Sequence, residues 1–370
     1  CWQIAYGIES GSQRILDVKR EVRLPRLRET LQMTRAAGIR TKGYVMPGHP
    51  TEGLDSVTEG GISSPAQRAR PSIRPRSSAA EPPTMTADAP GGDRDEIDWR
   101  TIALPDGWPD RLNFASPRDL ATFLRRLFGR RRRVEIPSGL PGADRLPDYL
   151  QHEFHHLPNG NYSKRIVSGY SRWFDLVMLR RSQRARTTIA HRLARCRATL
   201  DVGCGAGELT GLLLAQGVPE VWGLDPSPFL LRVAAHRHPQ ARLVQAVAEA
   251  TGFPAGRFDG AGVCFVFHEL PTQVGDRALA ELHRILTPGA VLVLAEPSPL
   301  HFRPNQLRRF LRTHGVLGLY FWLLACVVYE PFAAAWHRRD VRAWLDAHGF
   351  DLCEDEVGMP IRLMTAIRRA

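Results

Sequence analysis

Residues 199–227 read TLDVGCGAGELTGLLLAQGVPEVWGLDPS. An apolar run ends at Asp201, three glycines at Gly203, Gly205 and Gly207 follow, and a leucine-rich stretch then begins. Glycine allows the tight turn and the close approach of a ligand to the backbone. A second apolar run ends at Asp225. The order strand, glycine turn, helix, strand predicts a ligand-binding unit of an α/β protein.

The ligand is indicated by the spacing within this stretch. Asp225 lies 20 residues beyond Gly205, where an acidic side chain can accept hydrogen bonds from ribose hydroxyls. The glycines follow GxGxG rather than GxGxxG, and Glu208 stands where a third dinucleotide glycine would be. A carboxylate there disfavours a pyrophosphate at the helix N-terminus. A phosphate-free, cationic ligand with a ribose, such as S-adenosylmethionine, fits better.

Strands and helices alternate on both sides of this unit. One helix is predicted at 162–181, and a second helix ends at about 195. The elements after them are strand 198–202, helix 207–216, strand 220–224, helix 228–237, strands 242–246 and 260–266, helix 275–286 and strand 290–295. A further helix and two strands are predicted within 341–368. Runs such as VLVLAE at 291–296 are apolar throughout, as strands buried on both faces are. The pattern predicts a Rossmann-like, doubly wound, mostly parallel sheet.

Residues 198–296 resemble the class I S-adenosylmethionine-dependent methyltransferases, of the same general type as those of ubiquinone and menaquinone biosynthesis. The resemblance rests on LDVGCGAG (200–207), VWGLDPS (221–227), AEATGFPAGRFDG (248–260), CFVFHEL (264–270) and ALAELHRILTPGAVLVLAEP (278–297). It implies a class I fold over 151–370 and a cofactor site. The implied cofactor-binding residues are Asp201, Gly203, Cys204, Gly205, Gly207, Asp225, Pro226, Ala248, Glu249, Phe267 and Tyr170.

Within that set, Asp201 and the glycines would line the methionine end, Asp225 would bind the ribose, and Pro226, Ala248 and Glu249 would lie near the adenine. Val247 departs from the family, which often has an Asp there. Residues 159–175 resemble the helix that closes over the cofactor, and its aromatic cap would be Tyr170 or Tyr162, with Tyr170 preferred.

Candidate catalytic residues follow the strand predicted at 260–266. His268, with an ordinary pKa of ~6.5, is a candidate general base, and Glu269 is its neighbour. Alternatively His268 only shapes the pocket, since methyl transfer depends mainly on placing the nucleophile. His152, His155 and His156 lack the companions of a metal-site pattern, so no metal is predicted.

Residues 297–340 interrupt the alternation and are predicted to form a lid over the acceptor site. They contain the 14-residue apolar run GVLGLYFWLLACVV at 315–328, shorter than the ~20 residues of a spanning helix. An apolar, aromatic lid favours a hydrophobic small-molecule acceptor or peripheral membrane contact through 315–336. Simple packing against the sheet is the alternative.

The net charge of +12 comes almost entirely from arginine, since Lys occurs only at 19, 42 and 164. We interpret this excess as coding bias and expect no nucleic-acid partner. The six cysteines form no CxxC pair and no signal peptide is evident, which favours a reduced, cytoplasmic protein.

The front of the chain has a different character. Residues 1–55 contain YGIESGS (6–12) and GYVMPGHPTE (43–52) and resemble a partial barrel of radical S-adenosylmethionine enzymes, in which Glu9 and Ser10 would touch the cofactor. The CxxxCxxC motif of those enzymes does not occur in the chain. We expect an inactive fragment, followed by a disordered linker at 56–98 and a helical extension at 99–150 with a helix at 116–128.

The sequence therefore predicts a methyltransferase that methylates carbon or oxygen of a small apolar acceptor. The alternatives are a radical iron–sulfur enzyme fused to a methyltransferase and a cofactor-binding module without catalysis. Met85 would be a natural start for the methyltransferase, so the front segment is expected to be an accidental fusion. A true fusion enzyme truncated at its front is the alternative.

Overall fold

The computed structural model describes residues 3–8, 40–45, 97–129, 132–302 and 307–370. The chain divides into two units, Cys1–Thr84 and Met85–Ala370. In the first unit, strand β1 (Gln3–Ile8) pairs in parallel with β2 (Arg40–Val45). Glu9, Ser10 and most of the predicted linker at 56–98 lie outside the described residues.

The second unit contains a seven-stranded sheet in the order β5-β4-β3-β6-β7-β9-β8. Its strands are β3 (Ala198–Val202), β4 (Glu220–Asp225), β5 (Arg242–Gln245), β6 (Phe258–Cys264), β7 (Leu286–Pro297), β8 (Phe350–Val357) and β9 (Ile361–Arg368). Only β9 runs against the others, because it pairs antiparallel with both β7 and β8. The predicted mostly parallel sheet is confirmed.

Helices cover both faces of this sheet. The described helices are α1 (Pro117–Leu127), α2 (Lys164–Val177), α3 (Arg181–Leu193), α4 (Glu208–Ala215), α5 (Pro228–Arg237), α6 (Thr272–Ile285), α7 (Leu307–Val327), α8 (Ala333–Arg338) and α9 (Val341–Ala347). Along β7, Leu292 and Leu294 pack toward α6 and α9, whereas Val293 and Ala295 pack toward α3 and α4. The strand is apolar throughout because each side chain enters one of two cores.

The segment before the sheet is less helical than predicted. Among residues 99–129 and 132–150, α1 is the only α-helix, and two short 3-10 turns, Ala143–Arg145 and Asp148–Leu150, accompany irregular chain. Prolines at 105, 109, 137, 141 and 147 interrupt the stretch and remove the backbone donors that a helix needs. The segment is attached to the sheet by Trp99, whose Nε1 donates to the Leu243 carbonyl at 3.1 Å.

Two helices follow β7 in the predicted lid segment. Helix α7 is the one described helix long and apolar enough to cross a membrane, with a mean hydropathy of 1.4 over its most apolar window. At Gly315 its backbone takes φ 56° and ψ −145°, so the helix is interrupted there. The break in the alternation that the sequence predicted is therefore a helical insertion between β7 and α9.

Candidate cofactor and acceptor site

A cavity of about 410 Å³ lies at the carboxyl ends of β3, β4 and β6. This edge of an open parallel sheet is where ligands bind in doubly wound folds. Residues predicted from the sequence that line it are Asp201, Gly203, Cys204, Gly205, Asp225, Pro226, Ala248, Tyr170, His268 and Glu269. Helices α2 and α7 enclose the opposite side through Phe174, Phe321 and Leu324.

The turn after β3 has the backbone that its glycines predict. Gly203, Gly205 and Gly207 have φ of 68°, 54° and 86°, the left-handed region that glycine tolerates best. A Cβ on Gly203 would lie 2.5 Å from Val266 Cγ2, whereas a Cβ on Gly205 would meet no described atom within 4 Å. Gly205 thus presents bare backbone to the cavity. Gly207 does not line the cavity but precedes α4 and completes the turn.

Asp225 is fixed at the end of β4 by two backbone donors. Gly205 N–H donates to Oδ2 at 2.9 Å and Ser227 N–H donates to Oδ1 at 2.8 Å. The side chain is buried, and burial raises its pKa to about 6 against these hydrogen bonds. Each carboxylate oxygen retains a lone pair, so the group can accept two further hydrogen bonds from vicinal hydroxyls.

Asp201 supplies a second carboxyl group at the same end of the cavity. Thr210 Oγ1 donates to its Oδ2 at 2.7 Å. Burial raises the pKa of Asp201 to about 7, and the nearby Glu208 and Asp225 carboxylates act in the same direction. A cationic ligand would relieve this repulsion, so this end of the cavity favours positive charge.

Not all of the residues predicted to lie near the adenine line the cavity. Pro226, Val247 and Ala248 line the cavity, but Glu249 does not. Tyr149 Oη donates to the Glu249 carboxylate, 2.7 Å from Oε1 and 2.9 Å from Oε2. Glu249 therefore holds Tyr149, which lines the cavity in its place. Tyr149 precedes β3 by about 50 residues and carries no motif, so sequence analysis missed it.

Of the two aromatic cap candidates, Tyr170 lies at the cavity and Tyr162 does not. Tyr170 lines the cavity from α2, and its ring lies 5.9 Å from that of Phe174. Burial and neighbouring carboxylates raise its pKa well above the ordinary range, so the hydroxyl stays neutral. Tyr162 instead packs in a cluster with Val167 and Phe229. The preference for Tyr170 agrees with these positions.

Phe267 lies away from the cavity and is a correction to the predicted cofactor set. Its ring stacks on Trp336 at 6.0 Å and meets the edge of Trp344 at 4.9 Å, inside the main core. The reason is a turn: Phe265 adopts φ 61°, ends β6 and directs its own ring to the cavity. Phe265 and Val266 occupy the position that the motif suggested for Phe267.

The two catalytic candidates belong to a network of imidazoles and carboxylates that is buried at His268 and Glu296 and partly exposed at the other members. His155 Nε2 lies 2.6 Å from Glu269 Oε1, and His268 Nδ1 lies 2.7 Å from Glu296 Oε2. Glu330 reaches both rings, with Oε1 3.6 Å from His155 Nδ1 and 3.8 Å from His268 Nε2. In the described part of the chain, no group of three or more His, Cys, Asp or Glu is arranged to hold a metal ion.

The protonation of this network differs from the sequence expectation. Burial lowers the pKa of His268, but the carboxylates of Glu330 and Glu296 outweigh it and raise the pKa to about 9. Burial alone would raise the pKa of Glu269, yet its hydrogen bond with His155 lowers it. His268 is therefore cationic near neutral pH and is a hydrogen-bond donor there, not the free base that its ordinary pKa suggested.

Two more histidines stand at the lid end of the cavity and were missed. His301 follows β7 and His337 lies in α8, stacked at 4.0 Å on Phe302. Neither His301 Nδ1 nor His337 Nε2 has a hydrogen-bond partner among the described residues, although both atoms are buried. Burial lowers the pKa of His301 to about 4 and that of His337 to about 3, so both rings are neutral.

The residues of this site lie largely within a segment that matches a known protein family. Residues 200–294 match the family model described as "Methyltransferase domain". That match covers the glycine turn, Asp225 and strands β3 to β7, except the first residues of β3 and the last of β7. The match agrees with the methyltransferase domain predicted from residues 198–296.

Sequence relatives carry methyltransferase names. An uncharacterised methyltransferase of Synechocystis is 37% identical over 108 residues, 29% of this chain and 49% of that protein. The demethylmenaquinone methyltransferase of Thermus thermophilus is 37% identical over 106 residues, 27% of this chain and 47% of its own length. That of Geobacillus stearothermophilus is 30% identical over 159 residues, 40% of this chain and 66% of its own. The chain spans about half the length of the first two relatives.

Among solved structures, one similar chain is the 1,6-didemethyltoxoflavin-N1-methyltransferase of Burkholderia thailandensis, with bound S-adenosylhomocysteine. It is 20% identical, with a TM-score of 0.40, and the match covers 65% of this chain and 95% of that one.

Proposed function

We propose that this chain transfers a methyl group from S-adenosylmethionine to carbon or oxygen of a small, apolar acceptor. The observation that carries the proposal is the position of Asp225. Its carboxylate, oriented by the N–H groups of Gly205 and Ser227, lies in a cavity whose far end is lined by Phe321 and Leu324. A group suited to bind ribose and an apolar compartment thus share one cavity.

S-adenosylmethionine, when bound, supplies an electrophilic methyl group on a sulfonium. Asp225 would hold the ribose hydroxyls, and Asp201 would attract the positive charge. The ring of Tyr170 would lie over the same end, where an aromatic face favours a cation. Helices α2 and α7 exclude water from the reacting atoms, which strengthens each of these electrostatic contacts.

The acceptor loses a proton when it takes a methyl group on carbon or on a hydroxyl oxygen, and the Glu330 carboxylate, which lines the cavity beside His155 and His268, would accept that proton. The cationic His268 is suited to donate a hydrogen bond to an acceptor oxygen that becomes negative. Glu269 would orient His155, whose Nε2 lies 2.6 Å from Glu269 Oε1, and would not contact the acceptor itself. These roles for His268 and Glu269 replace the general-base role that the sequence suggested.

The names of the relatives support a ring-type, lipid-soluble acceptor. Several of them are called demethylmenaquinone methyltransferases, and others act in ubiquinone and menaquinone biosynthesis by name. A quinol is an apolar ring with hydroxyl groups, and it matches a cavity with aromatic walls and a few buried nitrogens. Peripheral membrane contact through 315–336, cytoplasmic localisation and the radical-enzyme origin of 1–52 remain proposals beside this one.

The test is a binding and transfer experiment with the full chain. Calorimetry should show S-adenosylhomocysteine binding that Asp225→Ala weakens roughly 100-fold, as the loss of two ribose hydrogen bonds implies. Asp276→Ala, in α6 and outside the cavity lining, is the matched control and should bind normally. Tritium transfer from methyl-labelled S-adenosylmethionine to a short-chain demethylmenaquinol tests the acceptor. Binding without transfer to any quinol or phenol would favour the non-catalytic module.

A further inference from the structure

Helix α7 exposes an apolar stripe on the side away from the domain. Its members recur at three- or four-residue steps and so lie along one side of the helix: Val316, Leu319, Tyr320, Leu323 and Val327. Val316 is 84% exposed and Val327 67%. Exposed large apolar side chains in a continuous row are uncommon on soluble proteins and mark an interaction surface.

The end of α2 extends this stripe. Trp173, Leu176 and Leu179 are all exposed, with Trp173 at 68%. Tyr320 Oη donates to the Val177 carbonyl at 2.7 Å, so the two helices are in direct contact. We call the eight exposed apolar residues of α7 and the end of α2 the outer patch.

The opposite faces of the same two helices line the cavity. On α7 these are Phe321, Leu324 and Ala325, and on α2 they are Phe174 and Val177. Trp173 belongs to both sets, because it lines the cavity and is exposed. The outer patch therefore meets the cavity lining at Trp173, and we call this edge of the cavity the mouth.

The geometry of α7 favours a helix that lies on a membrane over one that crosses it. The interruption at Gly315 leaves Val316–Val327 as the apolar segment, roughly 18 Å long, whereas a bilayer core is ~30 Å thick. Phe310, Gly318 and Phe321 are buried against the domain. A helix fixed to its domain by one face presents only the other face to lipid.

Charge around the outer patch identifies the kind of surface it fits. Exposed arginines adjoin it in sequence: Arg308, Arg309 and Arg312 on α7, and Arg172 and Arg180 beside the exposed residues of α2. Helix α7 contains no Asp or Glu, and Asp175 of α2 is neutralised by Arg186 Nη2 at 2.6 Å. Arginines at the rim of an apolar surface attract the anionic headgroups of a bilayer, by about 1 kcal/mol each near the surface.

We propose that the outer patch docks on an anionic lipid bilayer and directs the mouth at Trp173 into the apolar phase, an inference that rests on the proposed apolar acceptor. Trp173 and Tyr320 suit this position, since aromatic rings with a polar edge concentrate at the membrane interface. The acceptor would then enter the cavity from the membrane, between α2 and α7, without crossing water.

Flotation of the full chain with vesicles tests the docking. We expect binding to vesicles of phosphatidylcholine mixed with phosphatidylglycerol, and much weaker binding to phosphatidylcholine alone. Val316→Glu combined with Leu323→Glu should weaken binding at least tenfold, and Arg308→Gln with Arg312→Gln should weaken it severalfold and reduce its salt dependence. Val357→Glu, at an apolar position of β8 that is 44% exposed, close to the 48% of Leu323, is the control and should bind as the unmodified chain does.

The outcomes separate the docking surface from the proposed reaction. None of the changed residues lines the cavity, so each variant should retain calorimetric binding of S-adenosylhomocysteine. Vesicle binding without methyl transfer overturns the proposed acceptor and leaves the docking in place. Equal flotation of the Val316/Leu323 variant overturns the docking, as does a dimer that only this variant disrupts. Resistance of bound protein to alkaline carbonate extraction would show a spanning helix and also overturn it.

Discussion

The imidazole of His268 and the carboxylate of Glu296 form a buried pair at the end of β7, with Nδ1 and Oε2 2.7 Å apart. Glu296 Oε1 also accepts the backbone N–H groups of Val266 at 3.1 Å and Phe267 at 2.8 Å. One carboxylate thus fixes both the turn after β6 and the orientation of the histidine. Its charge, with that of Glu330, keeps His268 protonated.

This pairing predicts how stability depends on pH. The pKa of His268 is about 9 in the fold and ~6.5 in the unfolded chain, so the folded state holds the proton more tightly. Its contribution to the free energy of unfolding is complete below pH ~6.5 and is lost as the pH rises through about 9. Urea unfolding of the wild type should therefore show a loss of roughly 3 kcal/mol between neutral pH and pH ~10.

His268→Asn is the matched variant for that measurement, because its amide can still donate toward Glu296. It should be less stable than the wild type near neutral pH, and the difference should shrink as the pH rises. A difference that stays constant across this range would contradict the protonated state of His268.

Asp201 should also make the free energy of unfolding fall as the pH rises, but in a lower pH range than His268. Its pKa is about 7 in the fold and ~3.9 in the unfolded chain, so stability falls as the pH rises from about 4 through 7. Asp201→Asn retains an acceptor for Thr210 and cannot ionise. It should exceed the wild type by about 2–4 kcal/mol at pH ~8, with no difference at pH ~4, in urea unfolding without ligand.

Binding should show the opposite effect at the same residue. Asp201→Asn removes a carboxylate that attracts a cation, so calorimetry should show weaker binding of S-adenosylmethionine. Asp144→Asn, in which a carboxylate that is 81% exposed and lies outside the cavity lining changes instead, should alter neither the binding nor the stability trend. A variant that is both less stable at pH ~8 and equally good at binding would refute this reading of Asp201.

The fold was largely predictable, because the elements that build it are continuous in sequence. Strand β3 and helix α5 begin and end where predicted. The strand was predicted to end at 266, whereas β6 ends at Cys264, because the sequence VCFVF does not indicate the positive φ of Phe265. That single conformation also moved Phe267 from the cavity to the core. Hydrophobic periodicity does not predict backbone turns that are determined by tertiary contacts.

The contacts within the site were predictable where the residues belong to one continuous motif. Gly205 and Asp225 belong to one strand–turn–helix–strand unit, so their meeting follows from topology. His155 and Glu269 are 114 residues apart, and Glu330 comes from the lid. The pKa of His268 depends on these distant carboxylates, and its ordinary value was therefore the wrong guide. His301 and His337 carry no motif and become visible only once α7 and α8 are packed.

The glycine turn predicts a contrast between two neighbouring substitutions. Gly203→Ala combines a left-handed φ with a Cβ 2.5 Å from Val266 Cγ2, and should cost about 3 kcal/mol of unfolding free energy. Gly205→Ala meets no described atom, so it should cost about 1 kcal/mol but reduce S-adenosylhomocysteine affinity. Unfolding and calorimetry of the two variants measure both effects. Adding Val266→Ala should recover part of the loss at Gly203 and none at Gly205, and equal recovery would contradict the clash.

The unpaired nitrogens of His301 and His337 predict a conflict between stability and acceptor binding. Their pKa values of about 4 and about 3 lie below the ~6.5 of the unfolded chain, so stability is present above pH ~6.5 and falls as the pH drops. His301→Leu and His337→Leu should resist acid better and gain about 1 kcal/mol at neutral pH, because a buried polar atom without a partner is removed. In methyl transfer to a demethylmenaquinol, KM for the acceptor should rise at least tenfold while S-adenosylhomocysteine affinity stays unchanged. His191→Leu, on the exposed side of α3, is the control, and an unaltered KM in both lid variants would assign these histidines to packing alone.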